Sequence, residues 1–204
     1  MSSAPAHRPS RRAHILQAAL RAFGQNSLAR GLPTMGSIAS HAGVTTAALY
    51  YHFSSRADLM VTLMTQIHPQ VLGMFEKATP DGRTTAWVTE LCAEVAGWAV
   101  EEPDAARFYF LAPAAPPDSE LAACCDHCRD EVLDTLRRHV QRHRPELTEV
   151  IAWVYAHALR EVIVTAVELG LRERTHPPRG FPALRTAAAG LVVDLLSDTA
   201  PPVL

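Results

Sequence analysis

The sequence predicts an all-α protein of about nine helices. Apolar residues make up 48% of its 204 residues, and alanine, the strongest helix former, is abundant. Apolar positions recur at helical spacing along the chain, and no segment shows the alternation expected of a half-buried strand. Segments rich in Gly and Pro separate the periodic stretches. We expect a disordered basic tail over residues 1–9, a three-helix unit over 10–60 and a larger helical unit over 61–204.

The first helix is predicted from about Ser10 to Phe23. Its apolar positions fall on one stripe, which comprises Ile15, Leu16, Ala19, Leu20 and Phe23. A loop with Gly31 and Pro33 follows. Because three helices of this size bury little surface by themselves, the unit must pack against the rest of the chain.

Two short helices joined by a glycine turn are predicted next. Thr34 and Thr45 are suitable N-caps, and Gly43 can adopt the left-handed conformation that ends the first of the two helices. Ser55 and Asp58 form a capping box, so a longer helix starts there. A polar and aromatic face on the second short helix is typical of a DNA-binding helix-turn-helix. An ordinary helical hairpin is the alternative that the spacing leaves open.

At these positions the sequence resembles the TetR (tetracycline-repressor-like) family of bacterial transcription regulators. The resemblance spans about fifty residues and rests on Ile15, Ala18, Ala19, Phe23, Thr34, Ile38, Ala39, residues 42–45, Leu49, Tyr50, His52, Phe53, Arg56 and Leu59. The chain departs from the family where Ala47 replaces the usual Gly and Ala48 the usual Ser or Thr. Beyond about residue 65 only the helix layout is similar. The resemblance favours the DNA-binding interpretation over the hairpin.

The predicted DNA contacts lie around the second short helix. Thr46 and Ala47, at its N-terminal end, are placed to face base edges, and Ala47 can offer only apolar contact to a thymine methyl group. The resemblance implies that Tyr50 and His52 contact the DNA backbone. The predicted DNA-binding residues are Thr34, Ser37, Thr45, Thr46, Ala47, Tyr50, Tyr51, His52 and Arg56.

Charge is distributed unevenly between the two units. Residues 1–60 carry six arginines against Asp58, a net charge of +5, whereas the remainder carries 13 basic and 20 acidic residues, a net charge of −7. A basic unit of this kind suits contact with phosphates. Residues 1–9 lack the apolar core of a signal peptide, and we find no apolar run of the ~18 residues that a bilayer requires. We therefore expect a cytoplasmic protein without a membrane partner.

The helix that begins at Ser55 is predicted to continue to about Lys77. Pro69 lies within it and lacks the amide hydrogen that a helix needs, so we expect a kink there. Since this helix belongs to both units, we hypothesise that it acts as a lever between them. Further helices are predicted at about 84–101, around 108–110, and at about 119–143, 148–174 and 182–197.

The last two predicted helices are apolar on more than one side. One side can pack on the same chain, and a second copy is the expected cover for the other, in a four-helix interface around a two-fold axis. The resemblance implies the same homodimer; a monomer with both helices internal is the alternative. The predicted interface residues are Val154, Ala158, Val162, Leu184, Ala188, Leu191, Val192 and Leu195.

Several aromatic residues of the larger unit are candidates for a ligand cavity, although each also fits an ordinary core. The resemblance implies an effector site enclosed by the fourth to eighth helices. The candidates are Trp87, Trp98, Phe108, Phe110, Trp153 and His157. We expect a repressor that binds a palindromic operator as a homodimer and is released by a small hydrophobic or aromatic effector.

A cysteine group offers a second function, a regulator that senses metal or thiol redox state. Cys124, Cys125 and Cys128, with His127, could share a soft metal ion. Cys125 and Cys128 also occupy the apolar stripe of their helix, which favours a core role, so we predict no metal site and no cofactor. No nucleophile–base pair, Gly-rich phosphate loop or carboxylate dyad stands out, so an enzyme is not expected.

Overall fold

The computed structural model describes residues 10–25, 32–77, 84–111, 119–172 and Gly190. Within these residues it contains eight α-helices and no strand, which confirms the all-α class. The helices are α1 (Arg11–Gln25), α2 (Met35–His41), α3 (Thr46–His52), α4 (Arg56–Lys77), α5 (Thr84–Glu101), α6 (Pro103–Leu111), α7 (Glu120–His143) and α8 (Glu149–Arg172). The predicted tail at 1–9 and the ninth helix at about 182–197 lie outside the described residues, Gly190 excepted.

The helix starts of α2 and α3 follow from two threonines. The hydroxyl oxygen of Thr34 accepts a hydrogen bond from the amide of Ser37 (3.2 Å), and that of Thr45 accepts one from Ala48 (3.1 Å). Between the two helices Gly43 has a φ of 61°, which a residue with a side chain would adopt only under strain. The predicted caps and turn are therefore confirmed.

Helices α1 to α3, here called the head, share one small core. The side chains at its centre are completely or almost completely buried, and they include Ile15, Ala18, Ala19, Ile38, Leu49 and Phe53. His14 of α1 adds a polar tie, because its ring Nε2 donates to the carbonyl of Ala42 at 3.0 Å. The guanidinium of Arg12 lies 4.8 Å from the centre of the Phe53 ring. Helix α1 thus holds the turn and the end of α3 in place.

Helix α4 connects the head to the remaining helices, here called the body. Its start is capped as the sequence predicts: the hydroxyl of Ser55 accepts from the amide of Asp58 (3.0 Å), and the Asp58 carboxylate accepts from the amide of Ser54 (2.8 Å). The helix continues for 22 residues through Pro69. Since proline has no amide hydrogen, the carbonyl of Thr65 lacks its usual helical donor at this point.

The body is assembled around α7, which packs against α4 on one side and α8 on the other. Helix α5 packs on α8, and α6 lies against α1, α5 and α8. The largest fully buried side chains of α4 and the body include Trp87, Phe75, Phe108, Leu59, Leu91, Leu136 and Leu159. They form one continuous core with that of the head.

The head also contacts the body directly, where the end of α1 meets α6. The rings of Phe23 and Phe108 lie 5.4 Å apart between centroids. Beside them, a Cβ atom on Gly24 would lie 2.7 Å from the Cα atom of Asp104, so only glycine fits without a shift of the backbone. Burial at this contact raises the pKa of the Asp104 carboxyl, while Arg107 and Arg21 oppose the rise.

Helix α8 is long and apolar over most of its length. Its segment Glu149–Leu171 has a mean hydropathy of 1.5 and is long enough to cross a membrane, contrary to our expectation that no apolar run reaches this length. The core helix of a soluble protein passes the same criterion, so length and hydropathy are weak evidence of a membrane span. One side of α8 packs on α5, α6 and α7, while Val150 and Val154 are 73% and 63% exposed.

Candidate nucleic-acid interface and ligand cavity

Helix α3 presents polar and aromatic side chains to solvent. Tyr50 is 51% exposed and Tyr51 86% exposed, and both Thr46 and Ala47 are exposed. Leu49, on the opposite side of the helix, is completely buried. Two large exposed tyrosines contribute little to the core of the head, so their position suits contact with another molecule.

The other predicted contact residues lie beside α3. Thr34 and Thr45 are exposed, and because each hydroxyl oxygen accepts a bond from an amide, its hydrogen remains available to donate to a phosphate. Arg56, the first residue of α4, is exposed, whereas Ser37 and His52 are partly buried. The ring of His52 lies 5.2 Å from that of Tyr51 in an edge-on arrangement. Contacts of these residues with DNA stay predictions.

A cavity of about 280 Å³ lies in the body between α4, α6, α7 and α8. Its apolar lining consists of Met64, Phe75, Phe110, Ala122, Val132, Ile163 and Val164. Its polar lining consists of Tyr109, Cys125, Asp126, Cys128, Arg129 and Arg160. An apolar wall with a few polar groups is typical of a small-molecule site, and the volume falls just below the usual range of roughly 300–1,000 Å³.

The predicted ligand residues lie in different parts of the body and do not form one site. Phe110 lines the cavity, and Trp98 packs edge-on against Phe110 with 6.2 Å between ring centroids. Phe108 instead packs on Phe23 at the contact between head and body. Trp87 is completely buried and is stacked on His139.

The remaining two candidates, Trp153 and His157, lie on α8 away from this lining. The guanidinium of Arg137 lies 5.4 Å from the Trp153 ring, and His157 is exposed. Of the six predicted residues, only Phe110 is among the described residues that line this cavity. An aromatic side chain packed in a core and one that borders a cavity produce the same sequence signal.

Sequence reasoning missed a hydrogen-bonded chain that joins the cavity to α4. The hydroxyl of Tyr109, in the cavity wall, lies 2.8 Å from His68 Nδ1, and His68 Nε2 lies 2.8 Å from a carboxylate oxygen of Glu131. In a neutral imidazole whose Nε2 donates to the carboxylate, Nδ1 accepts the tyrosine proton. The rings of His68 and Tyr109 are nearly parallel, 6.1 Å apart. The signal in the sequence that could have indicated this chain is a histidine, His68, within the apolar stripe of α4.

Burial determines the charge state of the groups around Tyr109. It raises the pKa of the Tyr109 hydroxyl, and the nearby thiol of Cys128 raises it further, whereas Arg160 lowers it. Burial also raises the pKa of Cys128 to about 12, with a further contribution from Cys124, and raises the pKa of Cys125. All three side chains are therefore uncharged near neutral pH.

These raised thiol pKa values bear on the alternative function of the cysteine group. The thiolate is the form that binds metal and attacks disulfides, and burial disfavours it in Cys124, Cys125 and Cys128. Within the described residues no group of three His, Cys, Asp or Glu side chains could hold a metal ion. Cys128 is buried, as predicted for a core residue.

The predicted dimer residues fall in two regions. On α8, Val154 is exposed, and Ala158 and Val162 are partly buried. Leu184, Ala188, Leu191, Val192 and Leu195 lie outside the described residues.

The head matches known proteins in sequence. Residues 15–63 match the family described as bacterial regulatory proteins, tetR family. Over 57 residues the chain is 44% identical to the HTH-type transcriptional regulator TtgR of Pseudomonas putida, a match that covers 28% of this chain and 26% of that protein. The likeness in sequence is thus confined to about a quarter of each chain.

The likeness in fold covers nearly the whole chain. A TetR-family regulator from Shewanella sp. PV-4 has a TM-score of 0.69 at 19% identity, with 91% of this chain and 97% of that chain covered. The regulator FadR from Bacillus subtilis, in complex with stearoyl-CoA, has a TM-score of 0.65 at 16% identity, with 92% and 98% covered. The family consists of transcription regulators and not of enzymes. Residues 15–63 are therefore similar in sequence to the tetR family of bacterial regulatory proteins, and the arrangement of helices is similar to that of solved regulators described as members of that family.

Proposed function

We propose that the protein is a ligand-responsive transcriptional repressor. It binds a palindromic operator as a homodimer in the cytoplasm and is released by a small hydrophobic or aromatic effector. Residues 10–60 bind DNA, with the basic tail 1–9 alongside, and residues 61–204 bind the effector and dimerise. The observation that carries the proposal is the outward face of α3, where Tyr50, Tyr51 and Thr46 are exposed on a helix whose other side is buried.

The apolar side of α8 supports the dimer. Val150 and Val154 are exposed apolar side chains whose burial would be favourable. A second copy offers a matching surface around a two-fold axis. A dimer also holds two copies of α3 at one separation. Two recognition helices about 34–36 Å apart can read the two halves of a palindrome, which one short helix cannot do.

The route from the cavity to the head runs through α4. Tyr109 in the cavity wall is bonded to His68 of α4, next to Pro69, where the helix lacks one backbone hydrogen bond. An effector that displaces Tyr109 would shift α4 and so change the separation of the two heads. A preference of about 1–3 kcal/mol for the shifted state is the usual size of such coupling. That FadR, a protein of the same fold, binds stearoyl-CoA supports a ligand in the body.

The test places a negative charge on α3 without damaging the helix. Thr46 is the first residue of α3, where an acidic side chain interacts favourably with the helix dipole, so Thr46→Asp should fold normally. The new charge would repel phosphates, and binding to inverted-repeat fragments from the DNA beside the gene should fall at least tenfold in fluorescence anisotropy. Thr65→Asp, at an exposed position on α4, is the matched control and should bind as the wild type does.

Two results would overturn the proposed function. The first is a wild-type protein that binds no duplex fragment at low salt, where contacts with phosphate are strongest. The second is equal DNA binding by the wild type and Thr46→Asp, which would place the contact surface elsewhere.

A further inference from the structure

The cavity is lined by apolar side chains and by a few charged and polar ones. Met64 and Phe75 on α4 and Ile163 on α8 are among the apolar lining residues, whereas Arg129 and Arg160 bring two guanidinium groups to the same space. The two arginines differ in their partners, and that difference determines the net charge available to a ligand.

Arg129 is paired within its own helix. Its guanidinium lies 2.7 Å from the carboxylate of Asp126, which also lines the cavity, and 3.9 Å from that of Asp130. The charges of Arg129 and Asp126 therefore offset each other at the cavity.

Arg160 has a partner that faces solvent. Its guanidinium bonds to the carboxylate of Glu161, the next residue of α8, which does not line the cavity and whose side chain is 64% exposed. The side chain of Arg160 is only 27% exposed. An ion pair with an exposed carboxylate is weak, because water screens it and competes for both groups. The positive charge of Arg160 thus remains largely available to the cavity.

Among the described residues that line the cavity the one carboxylate is Asp126, which is paired with Arg129. Tyr109 lies close enough for Arg160 to influence its ionisation, and the hydroxyl is protonated near neutral pH, as are the thiols of Cys125 and Cys128. Glu131 does not line the cavity, and its carboxylate lies within hydrogen-bonding distance of His68. Protonated thiols are also poor nucleophiles.

We propose that the effector is a small apolar monocarboxylate whose carboxylate pairs with Arg160 while its aromatic or branched body lies against Met64, Phe75 and Phe110. This inference rests on the proposed function and narrows its hydrophobic or aromatic effector to an anionic one. A neutral ligand of the same shape would leave the guanidinium with Glu161, a largely exposed carboxylate, as its ion-pair partner, and a cationic ligand would be repelled. The cavity of about 280 Å³ suits a molecule of one or two fused rings.

The test uses three probes of one shape and different charge. The full-length protein is titrated in a calorimeter with naphthalene-2-carboxylate, naphthalene-2-carboxamide and naphthalen-2-ylmethanamine. The carboxylate should bind roughly 10- to 100-fold more tightly than the amide, which is the advantage expected of a charge-assisted hydrogen bond, and the amine should bind most weakly.

Variants then assign this preference to one side chain. Arg160→Gln should reduce carboxylate affinity to that of the amide and leave amide affinity unchanged, while Arg160→Lys should retain part of the preference. Arg137→Gln is the matched control, because Arg137 on α7 is paired with Asp134 and lies over Trp153, outside the cavity lining. It should bind all three probes as the wild type does.

The inference is overturned if the carboxylate and the amide bind equally, if Arg160→Gln weakens both to the same extent, or if the carboxylate does not bind at millimolar concentration. Operator binding, measured in parallel, separates this failure from failure of the proposed function. If a neutral compound releases the protein from the operator while the carboxylate does not bind, the proposed repressor function is supported and the proposal of an anionic effector is wrong. If the carboxylate binds through Arg160 but the protein does not bind DNA, the anionic ligand site is supported and the proposed repressor function is wrong.

Discussion

Tyr50 illustrates how a single hydroxyl group can be tested at the residue scale. Tyr50→Phe keeps the ring on the exposed face of α3 and removes only the group that could reach a phosphate. We expect operator affinity and affinity for an unrelated duplex to fall alike, by roughly 2- to 10-fold, as for the loss of one hydrogen bond. Anisotropy titrations with both duplexes measure this. Tyr155→Phe on α8 is the control, and a loss confined to the operator would contradict a phosphate contact.

His139 makes stability depend on pH. Its ring is buried, donates from Nε2 to the carbonyl of Phe75 at 3.0 Å and is stacked on Trp87. Burial lowers its pKa, and Arg142 lowers it further. In the unfolded chain a histidine titrates near ~6.5, so below that pH the unfolded state binds more protons than the native state. The contribution of His139 to stability should therefore be constant above about pH 7.5 and should decrease as the pH falls from 7 to 5.5.

A matched pair of variants isolates this contribution. In thermal unfolding, His139→Gln should show a smaller loss of Tm between pH 7.5 and 5.5 than the wild type, whatever its stability at pH 7.5. His157→Gln changes an exposed histidine and should keep the wild-type pH dependence. Burial also lowers the pKa of His143, so we expect His143 to contribute to the pH dependence of Tm that remains in His139→Gln. An unchanged pH dependence in His139→Gln would refute the assignment.

At the scale of elements, the contact between α1 and α6 depends on a missing side chain. Gly24→Ala would place a methyl group 2.7 Å from the Cα of Asp104, and backbone cannot move aside as a flexible side chain can. We expect a loss of about 1–3 kcal/mol in the free energy of unfolding by urea. Gly97→Ala is the control: nothing lies within 4 Å of its added Cβ, so it should stabilise α5 by about 0.5–1 kcal/mol. Equal effects of the two changes would argue against the close contact.

The elements themselves were predictable because their signals are local. Thr34, Thr45 and Ser55 each lie three residues before the amide they cap, and Gly43 lies in the turn that requires it. Helix α5 has the predicted bounds, Thr84–Glu101, because Pro80 and Gly82 precede it in the sequence and Pro103 follows it.

The cavity was not predictable in the same way. Tyr109 and Glu131 are 41 and 63 residues from His68, and nothing near His68 in sequence indicates such partners. Nor does a periodic pattern tell a core aromatic such as Trp87 from one beside a cavity such as Phe110. The arginine we assign to the effector, Arg160, stands out in sequence only as a charge on an apolar helix.

At the scale of the whole molecule, a substitution on the exposed apolar side of α8 tests whether that side forms the dimer interface. Val154→Asp introduces a charge that a second copy would have to bury, and an unpaired buried charge is strongly unfavourable. Sedimentation equilibrium should show a monomer, and operator affinity should fall at least 100-fold. Thr165→Asp, at an exposed polar position on the same helix, should remain dimeric. A Val154→Asp protein that is still a dimer would place the interface elsewhere.

The close approach of Gly24 to Asp104 limits how this protein can be recombined with others. A hybrid biosensor that joined residues 10–60 to a foreign effector module would set the end of α1 against an unrelated α6. Grafts cut within α4 would therefore fail unless the recipient's α6 supplied a residue whose backbone comes equally near to position 24. A graft that carries α6 together with the head keeps this close contact and is therefore better suited to exchanging operator preference between regulators.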